Sequence, residues 1–460
     1  MKKRAFSSRC RDVFQRLTTA SWLWWVAIGL FVLQAGTLVF VTKFGVPPDE
    51  TNHISFIDYY TDHSLDPFFT DQQPTYNLGD KTREVDYLYH YVMSLVRRVL
   101  PFSHTTEFYM IRLCTVGLAV LTFWVLRRVF RRVGISDTVS ALWVLLASSF
   151  SMVLMMSSAV NNDVLIWLGV ALGLLLIVRL WQERRLVDLL WLAALVAYVG
   201  LAKRTLLPVA AVFVLIGLWF AVRYAGHFWR ELRHPTVAVV VALVVLLVGV
   251  GLSVERIGVN VLRYGGATPS CNDVQGEQAC SGFWWNMRER ELARQPRGEL
   301  ISRTEFVGRW LHENLINILD IQTQGWRHEI KPARWIEPVW WAFLVVGLVA
   351  GISTDVKRFM KDVLARKRLL VLAVAFAFIA VLFFVNYGEY QRTRIFGVAL
   401  NGRYTLAGFL PLLAVVLWYW HRLLGRRYAV QVGLYALLLF LTMQQSGLWL
   451  LLHNPQLMHG

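Results

Sequence analysis

Pro47-Pro48-Asp49-Glu50-Thr51-Asn52-His53 places two carboxylates and an imidazole directly after the first long apolar segment, where a helix leaving a bilayer meets water. Groups of these types at that depth can take a proton from a hydroxyl, hold a divalent cation, or carry protons through a transporter. The same run is also a good helix start, since proline fits the first turn and acids complement the helix dipole. What stands beside it in space decides between these readings.

Other chemically able residues interrupt apolar sequence further on. Asn161-Asn162-Asp163 occupies a very short turn and suits helix capping as well as a binding role. Lys203-Arg204 lies between two apolar stretches, where such cations either snorkel to headgroups or hold an anion, a lipid-linked phosphate being the natural one. Gln391-Arg392-Thr393-Arg394 and Asn401-Gly402-Arg403-Tyr404 add three arginines just before an apolar stretch. One arginine there would serve as an anchor; three, with Lys203 and Arg204, point to phosphate or diphosphate recognition. Arg392 and Arg394 are the weaker candidates, because paired arginines in an external loop commonly meet lipid headgroups.

The elements that must position these groups are membrane helices. The 460 residues are 56% hydrophobic, and the apolar residues recur in runs long enough to cross a bilayer. The chain reads as an all-α polytopic membrane protein with about eleven transmembrane helices. They are expected near 22–42, 108–126, 139–157, 160–180, 187–202, 205–222, 237–254, 336–352, 369–386, 404–420 and 430–451. With alternating spans, the basic start of the chain, Arg127 to Arg132, Arg184-Arg185, Arg223 to Arg233, Lys357 to Arg368 and Arg426-Arg427 share one side, which is then cytoplasmic. The formal charge of +17 is accounted for by topology and anionic headgroups, with no nucleic-acid partner required. The first segment, without a small-residue cleavage pattern, reads as a retained signal anchor with a cytoplasmic N-terminus.

Residues 1–460 then form a single transmembrane domain with two longer external loops, 43–107 and 255–335. Val85 to Val96 suits a helix lying in the interface and ending in Arg97-Arg98. Cys271 and Cys280 share a short polar external loop and are expected to form a disulfide, the alternative being two free thiols. His and Cys spacings match no usual zinc pattern, and no internal repeat of the kind found in transporters is present.

In order and sidedness these residues resemble the GT-C superfamily of membrane glycosyltransferases, which use polyprenyl-phosphate-linked sugars. Asp49-Glu50 with His53 sits where that family places its catalytic acid, and Tyr87-Leu88-Tyr89-His90-Tyr91 is similar to an aromatic stretch later in the same loop. Gly200-Leu201-Ala202-Lys203-Arg204-Thr205 is similar to the basic motif placed near the donor phosphate. Within the superfamily, the Pro48-Asp49-Glu50 run with His53, the Asn162-Asp163 turn and Asn401-Gly402-Arg403-Tyr404 look most like a broad bacterial group of predicted transferases.

The resemblance covers nearly the whole chain, through short motifs. It implies a GT-C-like fold and transfer of a hexosyl or pentosyl unit from a polyprenyl-phosphate sugar to an acceptor hydroxyl, with inversion, on the external or periplasmic face of the cytoplasmic membrane. The acceptor would be a cell-envelope glycan, a lipid or a protein. Asp49 is the first choice of base and Glu50 the reserve, since adjacent helical residues point in different directions and cannot reach one proton. His53 would orient the base or touch the acceptor. Tyr89, His90, Asp163, Lys203, Arg204, Arg392, Arg394, Arg403 and Tyr404 complete the expected substrate-binding set, with Lys203, Arg204 and Arg403 on the leaving phosphate. The resemblance fixes no cofactor, and a divalent metal ion at Asp49, Glu50, His53 or Asp163 is left open, as some relatives use one. The rival class is a transporter or flippase for a lipid-linked or anionic substrate, which would place its acids near mid-membrane. A non-catalytic assembly factor would have no need of these groups together. Asp49, Lys203 and Arg403 are expected to converge on one external cavity despite their separation in sequence.

Overall fold

The computed structural model describes residues 21–62, 83, 86–99, 104–203, 206–278, 280–281, 284–295, 298–319, 336–396, 402–425 and 427–443. Among them every regular element is helical, the arrangement that lets an apolar chain satisfy its own backbone where water is absent. Chain order runs α1 (Trp22–Val41), α2 (Glu50–Asp62), α3 (Leu88–Val99), α4 (His104–Arg132), α5 (Asp137–Ser149), α6 (Ser151–Ser158), α7 (Asp163–Glu183) and α8 (Leu186–Ala202). It continues through α9 (Leu207–Arg223), α10 (Ala225–Arg233) and α11 (Val237–Ser253), which a π-helical turn (Val254–Gly258) joins to α12 (Val259–Tyr264). Then come α13 (Cys271–Gln275), α14 (Trp284–Arg294), α15 (Arg303–Leu319), α16 (Ile336–Arg358), α17 (Val363–Thr393), a 3-10 turn (Gly402–Thr405), α18 (Leu406–Leu424) and α19 (Tyr428–Met443).

Seven helices among the described residues are long and apolar enough to cross a membrane, or up to nine if each of two bent pairs is one span. The protein is therefore a polytopic helical membrane protein by length and composition. Two further apolar helices, Leu186–Ala202 and Val430–Phe440, are shorter.

The continuous span expected at 139–157 is broken, with α5 and α6 meeting at 80°. No proline or glycine marks the break. Ser148 and Ser149 turn their hydroxyls back onto the carbonyls of Leu145 and Leu146, and Phe150 leaves the helix in an extended conformation, packed on Trp340 and Phe409. A second bend, of 82°, turns α10 away from the axis of α9. Among their described residues the two expected loops also contain helices. The first holds α2, α3 and the start of α4, and the second opens as a continuation of α11 and contains α13 to α15.

Buried side chains run along α5 to α7 and α18 and form the packed centre of the bundle. Close approach of α16 to α18 depends on Gly347 and Gly351, where an added Cβ would stand 2.7 Å from Trp420 and 2.0 Å from Tyr419. This is the small-residue contact through which membrane helices gain packing without a hydrophobic driving force. At one end of the bundle lie the basic pairs Arg127–Asp137, Arg132–Glu183 and Arg368–Asp355. At the other end, α1 finishes, α4 and α7 begin, α8 finishes and α18 begins. The candidate residues gather there.

Candidate functional site

Two adjacent acids are sent in opposite directions by the turn that follows α1. Asp49 has a positive φ of 61°, a left-handed backbone that aspartate tolerates better than most residues but that still costs energy. Its carbonyl nonetheless accepts the first α2 hydrogen bond, from the His53 N–H at 3.0 Å. The Glu50 side chain points inward and has no exposure, whereas that of Asp49 keeps 42%.

Glu50 is held by Arg112 of α4. Arg112 donates to both carboxylate oxygens at 2.9 and 2.7 Å and to the carbonyls of Val39 and Thr42 at 2.8 Å each. The same carboxylate accepts the N–H groups of Val160 (3.0 Å) and Gly45 (3.2 Å). This one ion pair therefore fastens the end of α1, the Pro47-Pro48 turn, α4 and the turn before α7. Asn161 adds to it, donating to the Pro48 carbonyl at 3.3 Å and accepting the Asp163 N–H at 2.7 Å.

Held in this frame is an alternating line of charge. Asp49 pairs with Arg403, Arg403 Nε lies 3.3 Å from Asp163, and Asp163 pairs with Lys203. Lys203 also donates to the Asn162 side-chain oxygen at 2.8 Å. Tyr404 accepts a hydrogen bond from Arg403 at 3.0 Å, and its ring lies beneath Lys203 at 5.1 Å. Asp49, Lys203 and Arg403 thus meet in one cluster. Asp163, fully buried at the start of α7, needs both cations to offset its lost hydration.

The Arg403 turn reaches this position because Gly402 has no side chain. A Cβ there would stand 2.7 Å from both the Asn314 carbonyl and the Asn317 Cβ of α15. Gly402→Ala should push the turn off α15, and the expected result is a lower heat resistance with helix content unchanged. Circular dichroism during heating in detergent, against wild type, would check it.

Burial alone would raise the Asp49 carboxyl; the charges of Arg403, His53 and Lys203 and the Arg403 hydrogen bond outweigh it and hold the group below the ordinary carboxylate range. A divalent cation does not fit this arrangement. Asp49 and Asp163, the carboxylates it would use, are already on Arg403, and Asp163 is also on Lys203. Among the described residues no three His, Cys, Asp or Glu side chains are grouped to hold a metal ion.

Behind Asp49, the rings of α2 and α3 pack together. His53 Nδ1 and His90 Nε2 are 2.8 Å apart. His90 stacks on Phe56 with centroids 4.5 Å apart. The Tyr89 hydroxyl meets Thr115 at 3.1 Å and stands edge-on to His53.

The remaining candidates lie elsewhere. Arg392 is engaged by Glu389 at 2.6 Å and by Glu289 of α14 at 2.8 Å, so a phosphate role would require it to leave both. Arg394 closes α17 in a left-handed conformation. Arg204 lies outside the described residues. Cys271 and Cys280 are joined in a disulfide with Cα atoms 5.8 Å apart, which closes the short segment around α13.

Sequence reasoning passed over Arg112, although a charged residue inside an apolar span is itself a signal that a partner must exist. It also passed over an apolar groove of 810 Å³ between α8, α9 and α11, lined by Leu192, Val196, Gly200, Phe213, Gly217 and Val250. Gly200, which lines the groove, belongs to the last turn of α8, whose C-cap is Lys203 of the charged cluster. No family model, curated protein or solved structure matches the chain.

Proposed function

We propose that the chain is a membrane glycosyltransferase that moves a sugar from a polyprenyl-phosphate donor to an acceptor hydroxyl, with inversion. The observation that carries this reading is the meeting of Asp49, Arg403, Asp163 and Lys203 at one end of the bundle, beside an apolar groove. A lipid phosphate has that same division into an anionic head and an apolar tail. In this reading the two bent spans and the two shorter apolar helices bring the count to eleven, the N-terminus is cytoplasmic, and the cluster faces outward.

The leaving phosphate takes the cations. In the resting cluster Arg403 and Lys203 are neutralised by Asp49 and Asp163. Asp163 is buried and fixed, whereas Asp49 is the more exposed partner. A donor phosphate arriving at Arg403 displaces the Asp49 carboxylate, leaving it ionised and free to face the acceptor hydroxyl. The acceptor oxygen then bonds to the anomeric carbon as the carbon–oxygen bond to phosphate breaks on the opposite face. Its proton goes to Asp49, and the electron pair leaves with the phosphate, whose growing charge Arg403 and Lys203 stabilise. The groove between α8, α9 and α11 takes the polyprenyl chain. The acceptor belongs to the cell envelope, as a glycan, a lipid or a protein.

Support against the transporter reading comes from the same positions. Asp49 precedes α2 and Asp163 opens α7, so neither acid is at the middle of a long helix.

The test is transfer of labelled sugar from a panel of polyprenyl-phosphate sugars to membrane extracts, by purified protein in proteoliposomes. Transfer with release of free polyprenyl phosphate is the expected result. Donor movement between leaflets without release would establish the transporter in its place.

A further inference from the structure

At the end of the bundle away from Asp49, α10 lies nearly at right angles to the helix it follows, turned from α9 by 82°. With successive side chains about 100° apart around a helix axis, its residues divide into two sides. Ala225, Phe228, Trp229 and Leu232 fall on one, and His227, Arg230, Glu231 and Arg233 on the other. Phe228 is buried in the bundle, whereas Trp229 is 55% and Leu232 40% exposed on that same apolar side. A carboxylate fixes the helix in place. Glu231 accepts the Leu186 N–H at the start of α8 at 2.8 Å and lies 3.0 Å from His227 Nε2.

The charge of this helix is one-sided. Glu231 is its one acid and is engaged by α8. Arg230, Arg233 and, at the bend, Arg223 are exposed and make no ion pair among the described residues. The Arg233 guanidinium lies 5.5 Å from the centre of the Trp229 ring, at the boundary between the two sides. An exposed indole and leucine flanked by guanidinium groups fit a medium that is apolar beneath and anionic above, which is a leaflet of anionic phospholipid. An acidic protein would meet the arginines but has no claim on the apolar side. The helices that α10 connects face outward with apolar residues, Leu215 and Val222 of α9 being 68% and 80% exposed and Val237 of α11 81%, so the same lipid covers all three.

We infer that α10 is an in-plane binding surface for anionic phospholipid, seated in the leaflet at the end of the bundle where the Arg127–Asp137, Arg132–Glu183 and Arg368–Asp355 pairs lie. Trp229 and Leu232 enter the boundary between headgroups and acyl chains. Arg230 and Arg233 meet the headgroup phosphates, and Arg223 does so from the bend. The surface is distinct from the Asp49 cluster, since α8 runs between them with Glu231 at its start and Lys203 at its C-cap. It does not depend on sugar transfer, and the phospholipid is held without being consumed.

Two measurements on the full chain test this. The first reads position, with a nitroxide on Trp229→Cys in a Cys10→Ser, Cys114→Ser background, in vesicles of phosphatidylethanolamine and phosphatidylglycerol. The label should meet dissolved oxygen readily and a water-soluble nickel chelate poorly. The reverse pattern would put α10 in water, and shielding from both reagents would put protein against it; either overturns the inference. The second reads charge, as the heat resistance gained in detergent from added phosphatidylglycerol less that gained from phosphatidylcholine. Taking the difference within each protein cancels any change in the stability of the fold. Wild type should gain more from phosphatidylglycerol, and the Arg230→Gln, Arg233→Gln double variant should lose roughly half of that difference. A difference as large in the double variant as in wild type overturns the inference.

Discussion

Asp49→Asn should lower sugar transfer by about 10²- to 10⁴-fold, the usual worth of a positioned general base, while leaving donor binding intact or tighter. Amide replaces carboxylate without change of size, so the left-handed turn at residue 49 and the Pro47-Pro48 frame need not move. What changes is charge. Arg403 loses one of its two carboxylates and keeps Asp163, which frees a guanidinium for the donor phosphate.

The sign of the pH dependence separates this from a simple loss of structure. The folded carboxyl lies below its ordinary value, so Asp49 is ionised throughout the neutral range. The stability it adds is fully present above the ordinary carboxylate value and is lost as pH falls through the depressed one. Wild type should therefore be more heat-resistant than Asp49→Asn by a constant margin near neutrality, and that margin should close as the pH falls into the acid range. In the proposed transfer a low-lying carboxylate would still be an adequate base, because an acceptor oxygen becomes strongly acidic as its bond to the anomeric carbon forms. Transfer at wild-type rate by Asp49→Asn, in protein that binds donor normally, would remove Asp49 from the chemistry.

Much of this site was visible as residue types and little of it as partners. Asp49 stood out because it follows an apolar span, and Lys203 because it departs from the positive-inside trend. Their convergence with Arg403 was expected from the order of the motifs, but neither signal could say that Asp49 would pair directly with Arg403, 354 residues away, since helix order in a bundle is set by packing that a hydropathy pattern does not encode. Arg392 read as a weaker candidate than Arg403 on general grounds, but the partners that separate them, Glu289 of α14 for the first and Asp49 for the second, left no mark in the sequence. The bend at Phe150 was hidden for a related reason: apolar residues alone cannot distinguish a straight span from one broken by serine back-bonding and aromatic wedging. The disulfide was legible because Cys271 and Cys280 are only 9 residues apart.

Glu50 is where adjacent residues of one type most clearly acquire different roles, and its substitution should be the more damaging to the fold. Glu50→Gln leaves the Arg112 guanidinium in a site with no exposure on either partner. Removing one member of a buried pair costs about 3–5 kcal/mol, because the remaining charge is uncompensated. The loss would be felt at α1, α4 and the turn before α7 together, since Arg112 and Glu50 bind the backbone at Val39, Thr42, Gly45 and Val160. Heating in detergent followed by size-exclusion chromatography should therefore show Glu50→Gln collapsing well below Asp49→Asn and wild type. Glu50→Leu combined with Arg112→Leu removes both charges at once, so the double variant should be less unstable than the sum of the two single changes. It should not recover fully, because those four backbone groups lose their partners. A Glu50→Gln protein as heat-resistant as wild type but unable to transfer sugar would exchange the roles of the two acids, making Glu50 the base and Asp49 the partner that positions Arg403.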